Sequence, residues 1–224
     1  AAEGLAVLAF TAAIPYVAPH GGTKPVFGTN PMAFGWPRAD KPPLVFDQAS
    51  SVSARGAIQI RMRDGETLPE GWAIDAAGRP TTDPAAALSG AQLPFGGAKG
   101  SAIAMMVELL AGPLLGDALS MEAGERDTGK TGAPCGGELL VAMDPARFSP
   151  GASLADRMAH GEKLFAAILA QEGTRLPGDR RYAARERALA DGVDVPRALV
   201  DSLEAAIAGT PAAGRQPWEG DPEG

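Results

Sequence analysis

The sequence predicts a mixed α/β fold, and three observations predict it. Short apolar runs of strand length, each bounded by Gly or Pro, recur up to about residue 150. Beyond Pro150 the apolar spacing switches to the helical period. No GxGxxG occurs anywhere in the chain, so a Rossmann arrangement has no motif to start from. The 224 residues, 45% hydrophobic, suit one sizeable domain with a smaller appendage.

The elements follow in chain order. "GLAVLAFT" (4–11), "MAFGW" (32–36) and "PLVFDQAS" (43–50) read as strands, the last ending at the polar Asp47. "AIQIRMR" (57–63) alternates apolar and polar residues and reads as a further strand closed by an Asp64-Gly65 turn. "GWAID" (71–75) follows, with a turn at Ala77-Gly78. Asp83 then Pro84 read as the N-cap and first position of a short helix that closes at Gly90. "GSAIAMMVELLAG" (100–112) reads as a helix with Ile103, Met106, Val107 and Leu110 on its core face. "GELLVAMD" (137–144) is a strand, and the run "EAGERDTG" (122–129) a solvated acidic loop. Helices are expected over 154–173 and 180–192, then a last one capped by Asp194 and started by Pro196. The predicted organisation is a sheet domain over 1–150, a helical part over 151–209 and an unstructured tail over 210–224.

Composition narrows the function classes. A net charge of −7 argues against nucleic acid or an anionic membrane as partner. No apolar stretch is expected to reach the roughly 18 residues of a membrane span. The single cysteine, Cys135, excludes an intramolecular disulfide and a multi-cysteine metal site, and reads as a small packing residue. A cytoplasmic location is the simplest expectation. The opening residues carry no basic n-region and no initiator Met, and read as a cut edge rather than a signal peptide.

"PFGGAKGSAIAMMVELL" (94–110) carries the clearest chemical signal. A helix start leaves amides without intrahelical partners and carries partial positive charge, and Lys99 adds a full charge there. Gly96, Gly97 and Gly100 let a ligand approach the backbone. The spacing is not that of a P-loop, and a glycine-rich entry to a buried helix explains the same residues. In "FGTNP" (27–31), Thr29 and Asn30 either bond an anion or close a turn. Arg55 reads as a carboxylate clamp or a surface ion pair. His20, before Gly21-Gly22, is a loop histidine that could border a site; His160 lies on a helix surface. Neither forms a triad spacing.

Together "GTNPMAFGWPR", "VFDQASSVSARG", "LPEGWAIDAAGRPTTDP", "GAQLPFGGAKGSAIAMMVELLAG" and "GTRLPGDRR" resemble the type-2 malate/L-lactate dehydrogenase superfamily. Within it, "FGWPR", "FDQASS" and the glycine-lysine segment look most similar to delta-1-piperideine-2-carboxylate/delta-1-pyrroline-2-carboxylate reductases. The resemblance implies a non-Rossmann, largely antiparallel sheet that binds NADPH, with NADH as the alternative, in a homodimer. It implies reduction of a cyclic 2-imino acid to L-pipecolate or L-proline by hydride transfer to the C=N carbon. A malate- or lactate-type 2-hydroxy acid dehydrogenase, or an inactive nucleotide-binding fragment, is the alternative. Asp47, Gln48, Ala49, Lys99, Gly100 and the loop of Gly173, Thr174, Arg175, Leu176, Pro177 and Gly178 are implied to contact the cofactor. Thr29, Arg55 and Gly56 are implied to line the substrate.

Two departures stand out. The family's leading segment, with its Ser-His pair, lies upstream of Ala1, so no catalytic residue is expected within these residues. Ala57 occupies the position after "ARG" where such reductases tend to carry an acid.

Overall fold

The computed structural model describes residues 1–127, 136–148 and 151–208. Cys135 and the predicted tail from 210 lie outside the described residues. The chain forms two compact units, Ala1–Pro177 and Gly178–Gly224.

The first unit is built on a four-stranded sheet of β1 (Ala6–Thr11), β2 (Met32–Trp36), β3 (Leu44–Gln48) and β7 (Glu138–Met143), in the order β3-β2-β1-β7. Every neighbouring pair is antiparallel, with Val7 opposite Gly35 and Ala142, and Ala33 opposite Asp47. A second sheet joins three two-residue strands, β4 (Ala73–Ile74), β5 (Pro80–Thr81) and β6 (Ala91–Gln92), in the order β5-β4-β6, again antiparallel. The mixed α/β, largely antiparallel expectation holds.

The residues 57–63 form no strand. They belong to helix α1 (Arg55–Arg63), despite the period-two alternation of Ile58, Ile60 and Met62. Packing decides the conflict: only Ile58 is buried, against Leu68, Ala73 and Ala87. Arg61 and Arg63 in the last turn complement the helix dipole. Gly65, at φ +71, follows the C-cap Asp64 instead of turning a hairpin.

The short helix α2 (Pro84–Ser89) starts as expected, with the Asp83 side chain accepting from the Ala85 amide at 3.0 Å. Helix α3 (Ala98–Ala111) runs against β1 and β7. Its buried residues are Gly100, Ala104, Val107, Glu108 and Ala111, a stripe rotated from the predicted one, so Met106 is exposed and a carboxylate enters the interior. Against expectation, Ala98–Leu115 reaches the length and hydropathy of a membrane span, but that buried stripe packs within the fold.

The acidic run is also partly helical. Residues 122–126 lie in α4 (Ser120–Arg126), where Glu122 accepts from the Leu119 amide at 2.9 Å. Helix α5 (Leu154–Leu169) buries Phe165 with Leu44 and Leu176, flanked by Phe34, Trp36 and Ile168. Arg38 clamps Glu162 of α5 bidentately at 2.5 and 2.7 Å, and Lys41 joins at 3.2 Å.

The second unit holds α6 (Asp179–Asp191) and α7 (Arg197–Ile207). Helix α7 begins after Pro196, which is itself the N-cap, so Asp194 is not the cap. Its first turns carry an Arg197–Asp201 pair at 2.8 Å.

Candidate functional site

Three segments of the first unit converge at the start of α3. The residues around 16–18 run beside 27 and 92: the Tyr16 and Val17 amides donate to the Phe27 carbonyl, and the Ala18 amide donates to that of Gln92. From the end of β3, the Ser50 amide donates to the Thr29 carbonyl at 2.7 Å. The Ser50 carbonyl accepts from the Phe95 amide at 3.0 Å, and the Val52 amide donates to Leu93. Thr29, Ser50 beside Ala49 and the segment leading into Lys99 are therefore stitched together by backbone hydrogen bonds.

The turn into α3 demands glycine. Gly96 and Gly97 have φ of +56 and +60, the region where a Cβ is strained. Gly97 is the N-cap, and no side chain caps the helix. At Gly100 an added Cβ would lie 2.0 Å from the Phe95 carbonyl oxygen, so packing alone forbids a larger residue. Lys99 is exposed in the first turn. Uncapped helix amides, an open glycine turn and an exposed ammonium make a cradle that fits a phosphate.

His20 sits at the same end. Its amide donates to the Ser101 hydroxyl at 3.1 Å, and its ring lies 3.2 Å from where a Cβ on Gly97 would stand.

Arg55 opens α1, and its guanidinium lies over Tyr16 at 4.0 Å and donates to the Leu88 carbonyl at 3.3 Å. Burial lowers its pKa from the ordinary guanidinium value, against the pull of Tyr16. Gly56 beside it is exposed, and a Cβ there would meet nothing within 4 Å. Ala57 is half-buried on the same turn.

Asp47 and Gln48 are exposed at the end of β3. The 173–178 loop is rooted elsewhere. Leu176 points into the core with Leu44, at the opposite end of β3, about 13 Å along the strand from Gln48. The Thr174 hydroxyl bonds the Ile168 carbonyl and that of Gln171. Gly173, Thr174, Arg175 and Pro177 are exposed, and Gly178 caps the start of α6.

Sequence reasoning missed three contributors. Tyr16 is the platform under Arg55. Buried Gln92 donates to the Ser53 carbonyl at 2.6 Å. Buried Glu108 receives Asn30 at 2.7 Å. A lone acid inside "MMVELL", one turn from Ala104 and Ala111, was the available signal.

A cavity of about 600 Å³ lies apart from these residues, lined by Phe34, Trp36, Phe148, Arg157, His160 and Leu164 among others. It holds none of the predicted site residues.

The sequence model of the malate/L-lactate dehydrogenase family matches residues 1–204. The chain is 55% identical over 204 residues to a Delta(1)-pyrroline-2-carboxylate/Delta(1)-piperideine-2-carboxylate reductase of Pseudomonas aeruginosa, covering 91% of this chain and 60% of that protein. It is 54% identical over 202 residues to a Delta(1)-pyrroline-2-carboxylate reductase of Ancylobacter novellus, covering 90% and 59%. The crystal structure of delta1-piperideine-2-carboxylate reductase from Pseudomonas syringae pvar. tomato superposes with a TM-score of 0.79 at 43% identity, over 90% of this chain and 60% of that one. The chain thus spans about three fifths of the length of the proteins it matches.

Proposed function

Because the chain belongs to the malate/L-lactate dehydrogenase family, we propose that the full-length protein reduces a cyclic 2-imino acid, Δ1-pyrroline-2-carboxylate or Δ1-piperideine-2-carboxylate, using NADPH. The observation that carries this reading is the convergence at α3. There the glycine turn of Gly96 and Gly97 with Lys99 is joined through Ser50 to the turn that carries Thr29. The similar reductases supply the substrate class.

Each residue then has a task set by its chemistry. Lys99 and the first amides of α3 hold a dinucleotide phosphate, where charge-assisted bonds are strongest. Asp47, Gln48 and Ala49 border the same ligand from the end of β3, with the exposed residues of the 173–178 loop as further contacts. Bound there, the dinucleotide supplies the hydride. Arg55, oriented by Tyr16, and Thr29 take the substrate carboxylate, and Gly56 leaves room for its ring. Fixing the carboxylate fixes the imine carbon, and such positioning supplies a large part of the rate. The methyl of Ala57 has no ionisable proton to give or take, so no proton relay passes through that side chain.

The test is a substrate panel. The purified full-length protein is assayed by NADPH absorbance with each cyclic imino acid and with pyruvate and oxaloacetate. We expect turnover with the imino acids and kcat/KM at least tenfold lower with the 2-oxo acids, about 1.4 kcal/mol of discrimination. Faster reduction of a 2-oxo acid would reassign the protein to the 2-hydroxy acid dehydrogenases.

A further inference from the structure

We infer that Glu108 is the positioning residue for the substrate-side turn. It holds Thr29 at a fixed distance from the cofactor-side end of α3. This inference rests on the assignment of Thr29 to the substrate.

Glu108 is 5% exposed and opens the last turn of α3, on the helix's buried stripe. One carboxylate oxygen accepts from the Asn30 side-chain amide at 2.7 Å, from the Gly28 amide at 3.4 Å and from the Ser120 hydroxyl. The other accepts from the Ser120 amide at 2.9 Å. These donors are all uncharged. A buried carboxylate so placed is costly unless its oxygens are well satisfied, and here hydrogen bonds alone satisfy it.

The geometry shows what the arrangement does. Glu108 grips Gly28 and Asn30, the two neighbours of Thr29. Asn30 is fully buried and is the one non-glycine residue with positive φ, +42, among the described residues. Its amide also donates to the Ala104 carbonyl at 3.0 Å, so the turn is bonded to α3 at two points one helical turn apart. Its own carbonyl accepts from the Ser50 hydroxyl at 3.0 Å. At Gly28 an added Cβ would lie 2.6 Å from the Asn30 side-chain oxygen, which leaves the turn no slack. Glu108 lies nine residues beyond Lys99 on one uninterrupted helix, about 13–14 Å along its axis. The helix therefore acts as a ruler between the phosphate cradle and the Thr29 turn, and Glu108 is the mark at which the turn is fastened.

The test compares Glu108→Gln and Ser120→Ala with the parent in the full-length protein. Glu108→Gln keeps the shape but turns one acceptor into a donor facing donors. Loss of one such bond should raise KM for the imino acid roughly tenfold, with kcat and the NADPH Kd within twofold. Amide hydrogen exchange at residues 27–30 should quicken by a similar factor. Ser120→Ala, which removes the hydroxyl bonds to Glu108 and to the Asn30 side-chain oxygen but leaves the bond from the Asn30 amide to Glu108 intact, should move KM less than threefold and leave 27–30 protected. A KM unchanged in Glu108→Gln, or kcat, KM and NADPH Kd all worsening together, overturns the inference. If Glu108→Gln does not fold, Asn30→Gly, which keeps the backbone conformation and deletes the amide, takes its place with the same expectations. If the parent reduces no imino acid, the function reading fails. The exchange at 27–30 still decides whether Glu108 fastens the turn.

Discussion

The Arg55 guanidinium stacks on the Tyr16 ring at 4.0 Å and donates to the Leu88 carbonyl at 3.3 Å. A cation held over an aromatic face, with one donor committed to backbone, keeps its remaining donors aimed and available to a carboxylate.

Arg55→Ala should therefore raise KM for the imino acid by about one to two decades, the roughly 1.5–3 kcal/mol of a charged hydrogen bond. The NADPH Kd should change less than twofold. Steady-state kinetics and a cofactor titration check this; the two constants rising in step would place Arg55 in the cofactor pocket or in the framework.

Gly100 and Gly56 make a controlled pair. Gly100→Ala puts a Cβ 2.0 Å from the Phe95 carbonyl oxygen, a backbone atom with nowhere to go. It should destabilise the protein by about 1–3 kcal/mol or more, as overpacking does. Gly56→Ala meets nothing and sits in α1, so it should leave stability unchanged or raise it by up to about 1 kcal/mol. Its effect should appear in substrate KM instead. Urea unfolding of both variants, followed by kinetics on the second, checks the pair.

Leu176 is 2% exposed and roots the 173–178 loop in the cluster of Leu44 and Phe165. Leu176→Ala should cost about 2–5 kcal/mol, the range for truncating a buried leucine. Thermal unfolding checks it. A loss below about 1 kcal/mol would mean that the loop is not anchored there.

Glu162 offers a pH test. Its hydrogen bond from Arg38, with help from Lys41, holds its pKa down from 4.5 to about 2. The folded value lies below the unfolded one, so the carboxylate stabilises the fold above about pH 4.5. That contribution fades as pH falls towards about 2. Glu162→Gln should be less stable than the parent at pH 7, and the gap should close between pH 4.5 and about 2. Urea midpoints across that range read it; a gap independent of pH would assign the loss to shape, not charge.

Much of this was legible in the sequence. Strands β1, β2, β3 and β7 were visible because their apolar runs are bounded by Gly, Pro or a charge, and Asp83-Pro84 announced α2 by cap chemistry alone. The lysine-glycine entry to α3 was legible for the same reason: glycine at positive φ leaves a trace in the sequence. What failed did so for tertiary reasons. The Ile58–Met62 alternation spelled a strand, but burial of Ile58 on Leu68 and Ala87 selected a helix. The buried face of α3 departs from the expected Ile103, Met106, Val107 and Leu110 because Glu108 turns inward. Its donors come from residues 28, 30 and 120, which no local pattern connects. Tyr16 under Arg55 is likewise a pairing of distant residues.

The central claim is that the start of α3 holds a dinucleotide phosphate, and Lys99 tests it most directly. Lys99 is exposed and ends no buried network, so Lys99→Ala should fold as the parent does. The measurement is the NADPH Kd of both proteins by fluorescence or calorimetric titration. Loss of one charge-assisted phosphate contact, about 1.5–3 kcal/mol, predicts a Kd weaker by about one to two decades, with NADH tested alongside. An NADPH Kd unchanged in Lys99→Ala would contradict the account, leaving the glycine turn as no more than the entry to a buried helix.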